Sequence, residues 1–265
     1  SMLIDFISRY IPRQSNYTIN SELEDLFTSY HRFIAVVSIS ANSIHMYLIV
    51  AASQFYTAGY RFSLFLLQFW FIALNVHLSI MSIPFPLYPL FGAYSRGIYG
   101  THLNMPFHYQ MVLLIFIVDE CIASLLMCSL FRQQSLIVGG RLKLNNSQLT
   151  ILIVILHLSL TINSFIFSFV DLDVEDQLRL LEENYAGLSW ISSHGFVWAA
   201  YAWNPAVFVF FFSIFLQVIF IGSFAVAVVS YTIRAVKRQR KIIAKRKDDR
   251  LRKRVRRVDT VVISQ

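Results

Sequence analysis

The sequence predicts an all-α fold, a polytopic bundle of helices that crosses a membrane. Hydrophobic residues make up 56% of the chain and mean hydropathy is +0.56, while charged residues reach only 14%, against roughly a quarter in soluble proteins. A soluble fold of this size has too little interior for such a composition, which includes 24 phenylalanines. Five stretches meet the ~20 apolar residues that a ~30 Å hydrocarbon layer demands. None of them alternates as a barrel strand does.

Residues 1–30 form an arm ahead of the first span. They lack both a continuous apolar run and a small-residue cleavage site, so the first span is expected to act as the insertion signal. The spans run over about Phe33–Ser53, Phe62–Ile83, Phe107–Phe131, Leu149–Val170 and Pro205–Ile233. The second ends at "IPFPLYPLFGAYSRGIYG", where Pro84, Pro86 and Pro89 stop the helix, because proline lacks a donor and clashes with the preceding turn. A stiff aromatic loop turning at Gly92 and Gly97 is expected there.

The loop over residues 171–204 has two halves. "DLDVEDQLRLLEENYAG" reads as a short amphipathic helix capped by Asp171 or Asp173, with Val174, Leu178 and Leu181 on one face and a stop at Gly187. The other half carries Trp190, Trp198, Trp203 and Tyr201, which suits either a belt at the headgroup level or a lid over a ligand pocket.

Beyond the fifth span, residues 234–265 form a basic cytoplasmic tail or a third inner loop, holding fourteen of the 23 lysines and arginines. A helix with an imperfect apolar stripe from Val236 to Val258 is expected, drawn to anionic lipid at about 1 kcal/mol per close cation. Since the basic character belongs to this one segment beneath five spans, nucleic acid is not an expected partner. Counting lysine and arginine in the short connections puts the N-terminus outside and the C-terminus in the cytoplasm. Eighteen basic residues, including Arg61, Arg132, Arg141 and Lys143, then lie inside against five outside. In that orientation the sequon at Asn16 is a glycosylation candidate and the sequon at Asn145 is not.

Asp119 and Glu120 sit in the middle of the third span, where acids are expensive and turn toward the bundle interior. Neighbouring helical residues point about 100° apart, so the two acids face different surroundings. Asn75, His77, His157, Asn163 and Gln217 are the candidate partners. The acids serve as ligand contacts, as a proton relay, or as interhelical hydrogen-bonding glue. Cys121 and Cys128 are seven residues apart on one helix and read as packing residues. No metal-ligand spacing, phosphate-binding glycine loop or nucleophile elbow occurs, so no cofactor, metal or enzymatic activity is expected.

The second-span region resembles that of the nematode serpentine chemoreceptors, most closely class Sri with Srh as near kin. The likeness rests on Gln68, Asn75, His77, Pro84, Pro86, Leu87, Pro89, Gly92, Tyr94 and Gly97, with Gly92-Ala93 in place of the usual Ala-Gly. In the third span Glu120, Cys128, Phe131, Arg132 and Gln134 fit the same pattern, and Gln133 departs from it. The resemblance covers about residues 30–230. It implies a seven-transmembrane G-protein-coupled receptor for small-molecule odorants, in the plasma membrane of sensory neurons. Ligand would enter near the 84–100 and 171–204 loops, with Asp119, Glu120, His77 and Asn75 as pocket candidates. Arg132 would face a heterotrimeric G protein, or is a boundary arginine reaching for the headgroups. With five spans where the family has seven, the chain is expected to be a partial receptor, from a fragment or a truncated gene. The alternative function is a transporter or channel subunit using Asp119 and Glu120 as an ion or proton site.

Overall fold

The computed structural model describes residues 21–51, 57–87, 90–136, 144–185, 188, 190–193 and 195–263. Asn16, Pro89, Arg141, Lys143 and Gly187 lie outside the described residues, as do the side chains of the expected apolar stripe in the tail. In chain order the elements are α1 (Ser21–Ala51) and α2 (Ala58–Val76), a π-helical turn (His77–Ser82), β1 (Pro84–Pro86), β2 (Gly92–Ser95) and α3 (Ile98–Thr101). There follow α4 (Phe107–Leu136), α5 (Asn146–Phe167), α6 (Val174–Asn184), α7 (Trp190–Ser193), β3 (Val197–Ala200) and α8 (Pro205–Ile263).

Among the described residues, five helices are long and apolar enough to cross a membrane: Ser21–Ala51, Ala58–Ser82, Phe107–Ser135, Asn146–Phe167 and Pro205–Arg234. Their unpartnered faces carry large apolar side chains such as Val36, Leu48, Phe69, Leu158, Phe165 and Val226, the surface a lipid-facing helix presents. The first helix starts at Ser21, ahead of the expected Phe33, because its polar first turns pack on the loop after α2. The last is one helix of 59 residues, about 90 Å long at 1.5 Å per residue.

α4 occupies the centre of the bundle and packs against α2, α5 and α8, while α1 lies against α2. Ala123, Leu126, Leu156 and Leu160 form the apolar core between α4 and α5, with Ile221 and Phe224 of α8 against it. At the N-terminus of α5, Asn145 accepts from the Gln148 amide at 2.7 Å and Gln148 reaches back to the Asn145 amide at 3.1 Å. This reciprocal cap satisfies donors that would otherwise be orphaned.

The proline segment does more than stop a helix. α2 widens into the π turn, and Ile83 then takes a left-handed conformation, φ 42°, uncommon for a β-branched residue. Its side chain is fully buried, which holds it there. β1 follows as the edge of an antiparallel sheet ordered β1-β2-β3, a position that tolerates proline because no ladder donor is required on the open side. β2 pairs with β1 through Phe85↔Tyr94 and with β3 through Tyr94↔Trp198. The two large loops are therefore one structure. The Ser82 carbonyl, freed at the end of the π turn, accepts from the Ser95 hydroxyl at 2.6 Å and the Gly97 amide at 2.9 Å. Any side chain at Gly97 would collide with the Met81 carbonyl.

α6 covers this sheet with a face different from the expected one. Leu181 is buried and so is Gln177, while Val174 is exposed. Asp173 occupies the N-cap position without a side-chain cap bond, and Asp171 accepts from the neighbouring Leu172 amide. Gln177 instead ties α6 to β3, accepting from the Ala200 amide at 3.2 Å and donating to the Leu172 carbonyl at 2.7 Å. Of the aromatic residues in this loop, Tyr201 is buried and Trp190 and Trp198 are partly buried in the cap, whereas Trp203 is 78% exposed.

Tyr94 stands at the centre of the cap, fully buried among Leu87, Leu181 and Ile191. Its hydroxyl donates to Glu24 of α1 at 2.7 Å. Burial first, and then the Glu24 hydrogen bond and charge, raise the Tyr94 phenol above its ordinary range. Burial also raises Tyr201. The folded state thus holds protons that the unfolded chain releases above about pH 10, so stability is present below that pH and falls as pH rises beyond it. Thermal unfolding across that range is expected to show a declining midpoint, with a shallower decline in Tyr94→Phe. Equal slopes in the two proteins would exclude the Tyr94 contribution.

Candidate functional site

The two acids of α4 diverge as their 100° separation requires. Asp119 turns toward α8, where Gln217 Nε2 donates to its Oδ1 at 3.3 Å. Gln217 also donates to the Leu160 carbonyl at 3.3 Å and accepts from Asn163 of α5. Asn163 Oδ1 in turn accepts from the Ser213 hydroxyl at 2.8 Å. One chain of polar groups therefore joins three spans, α4, α5 and α8, inside the apolar bundle. Glu120 turns toward α5, with its Oε2 2.8 Å from Nδ1 of His157.

Both acids are buried. Lipid offers no hydrogen bonds, so each polar atom here must be satisfied by the protein or remain open to something that enters. Asp119 Oδ2 is buried and has no hydrogen-bond partner, and the Ser124 hydroxyl, five residues along α4 and on a different face, is in the same condition. An open acceptor on the central helix, at the head of the three-helix polar chain, is what a small polar ligand with a donor would need.

The other two pocket candidates lie apart from this network. Asn75 is partly buried and donates to the Phe71 carbonyl of its own helix at 2.8 Å. His77 is buried at the start of the π turn, with its ring 5.7 Å from that of Tyr99. Neither of its ring nitrogens finds a hydrogen-bond partner of ordinary geometry, the Gln110 backbone lying close by. Gln110 is itself fully buried, accepting from the Ser82 hydroxyl at 2.8 Å and donating to the Met105 carbonyl at 2.8 Å. His77 thus belongs to the junction between the bundle and the cap.

At the opposite end of α4, Arg132 is exposed and makes no ion pair among the described residues. Beside it Gln133 is buried, and Gln134 accepts from the Leu144 amide at 3.0 Å, closing the connection to α5. Cys121 and Cys128 are buried free thiols.

Two groups of residues outside the expected pocket set complete the cap side. Glu24 and Asp25 of α1 hold Arg96 at 3.3 and 3.6 Å, and Arg96 lies over the Phe196 ring at 5.4 Å. His108, buried at the first turn of α4, has Nδ1 3.2 Å from the Tyr201 hydroxyl and 3.9 Å from Asp171. The signal for the first group was present in the sequence as acids four residues into a polar segment preceding the first span, but the long-range partner Arg96 was not.

Replacing His157 by phenylalanine keeps the bulk of the ring and leaves the Glu120 carboxylate without its partner, at a cost on the order of 1–3 kcal/mol. The expected result in lipid nanodiscs is a lower unfolding midpoint for His157→Phe, partly recovered by adding Glu120→Gln. A wild-type midpoint in the single variant would remove the pair from the forces holding α4 to α5.

No curated protein and no solved structure matches the chain. Residues 17–259 match the family model of the serpentine type 7TM GPCR chemoreceptor Sri, a span that includes all five membrane helices, the sheet and the polar network. The chain belongs to the Sri family of serpentine seven-transmembrane chemoreceptors.

Proposed function

We propose that this chemoreceptor detects small-molecule odorants that pass the cap and bind against α4 at Asp119. In this reading a heterotrimeric G protein meets the tail end near Arg132, and the N-terminus and the sheet lie outside the cell. The observation that carries the binding reading is the unpartnered, buried Oδ2 of Asp119 at the head of a polar chain reaching α5 and α8. A ligand that hydrogen-bonds there shares the carboxylate with Gln217, which holds its other oxygen, and so acts on three helices at once. Membrane lipid is the surrounding solvent, and the basic tail is a further contact for its anionic headgroups.

The orientation is supported by the excess of lysine and arginine on the tail side. Glu120 acts through His157 and so positions α4 and α5, whereas Asp119 would touch the ligand. A transporter or channel reading uses the same two acids but requires flux without a G protein.

The test is a response assay in cells expressing the complete reading frame that contains this sequence, challenged with short-chain alcohols, ketones, esters and amines. For an activating compound, Asp119→Asn is expected to shift the half-maximal concentration by about tenfold at unchanged surface amount, and Glu120→Gln to reduce the maximal response. Unaltered responses in both variants would overturn the binding reading. In the same cells, glycosidase-sensitive mass on Asn16 is expected, and on Asn145 would invert the orientation.

A further inference from the structure

We propose a second ligand site, for a small carboxylate, in the polar cavity between the start of α1 and the loop that follows the sheet. The cavity measures about 360 Å³ and is lined by Asp25, Thr28, Ser29, Arg32, Arg96, Thr101 and His102. Four of these come from one helix face, since Asp25, Thr28, Ser29 and Arg32 are spaced three, four and seven residues apart. The rest come from the segment that β2 and α3 hold in place.

Every named wall is polar. Arg96 is fixed from behind: its Nε meets buried Glu24 at 3.3 Å and its guanidinium stacks on Phe196. Toward the cavity it has only a loose partner. Its Nη2 is 3.6 Å from Asp25, whose side chain is 76% exposed, whereas a close charge-assisted bond measures about 2.7–2.9 Å. A guanidinium offers five donors in a planar fork, so those on the cavity side are available for bidentate recognition of a carboxylate.

Arg32 adds a second cation, with no ion pair among the described residues. With Glu24 balancing Arg96, the charges left facing the cavity are Arg32 and the displaceable Asp25. Thr28 Oγ1 is buried and without a partner, although a helical threonine ordinarily bonds a carbonyl of the preceding turn. Beside two guanidinium groups it offers a donor and acceptor for a second polar group. The ligand class is accordingly a small carboxylate with a neighbouring hydroxyl or amine.

This site lies on the cap and is distinct from the Asp119 network. From the receptor reading it takes only that the sheet end is extracellular, and its test uses purified protein, where neither orientation nor coupling matters. The probe is sodium L-lactate, with 1,2-propanediol as the analogue lacking the carboxylate, at constant ionic strength on the full chain in nanodiscs. Saturable millimolar binding of lactate by calorimetry is expected, with a concentration-dependent rise in unfolding midpoint and no such response to propanediol. Arg32→Ala is expected to weaken lactate binding about tenfold while leaving the ligand-free midpoint in place, because the side chain is exposed. Thr28→Val is expected to weaken lactate more than propionate, which lacks the hydroxyl. Equal behaviour of lactate and propanediol, or wild-type lactate binding in Arg32→Ala, would overturn the site. Failure of the odorant assay alongside lactate binding would defeat the Asp119 reading and leave this one standing.

Discussion

Hydrocarbon cannot satisfy a hydrogen bond, and the architecture follows from that constraint. α4 carries two carboxylic side chains into the middle of an apolar bundle, so neighbouring helices must supply their partners. Gln217 on α8 and His157 on α5 do so from different sides, and Asn163 and Ser213 extend the first contact into a chain across three spans. These bonds fix the rotation of α4 in a way that leucine and phenylalanine packing, which tolerates sliding, does not. Interhelical hydrogen bonds in membranes average only about 0.6 kcal/mol, so their weight lies in specifying one arrangement more than in summed stability.

The cap solves the same problem at the membrane boundary. Where α2 ends, its last carbonyls need donors, and the Ser95 hydroxyl and Gly97 amide supply them by folding the loop back. That return places Tyr94 beneath the sheet and aims Arg96 at Glu24 and Asp25. The start of α1 is thereby helical well before its apolar portion begins. The π turn joins this cap to the bundle, with Gln110, Ser82 and His77 all buried there and the Ser82 hydroxyl bonded to Gln110.

Much of this was legible in the sequence. Span length and hydropathy located all five membrane helices, and the proline cluster located the exit of the second. The 100° rule separated the surroundings of Asp119 and Glu120, and their partners came from the short set of polar residues in other spans. The sheet was not legible. β1 is three residues with two prolines, β3 lies in a tryptophan-rich loop, and their common partner β2 pairs with β3 across about a hundred residues of chain; no local periodicity announces such a contact. The polar start of α1 was hidden for the same reason, since its stabilising partners Tyr94 and Arg96 are distant in sequence. The amphipathic pattern of α6 named Val174 for burial, but the pull of Ala200 on Gln177 turned the helix so that Gln177 and Leu181 face inward.

The account rests most heavily on Asp119 and Gln217 acting as one unit between α4 and α8. A double-mutant cycle with Asp119→Leu, Gln217→Leu and the combined variant, read as unfolding free energy in nanodiscs, tests this directly. If the two side chains satisfy each other, the combined variant loses less stability than the sum of the single variants, by more than the ~0.3–0.5 kcal/mol within which independent sites add. Additive losses would mean that the acid and the amide do not depend on each other, and the polar chain would no longer explain how the three helices are set.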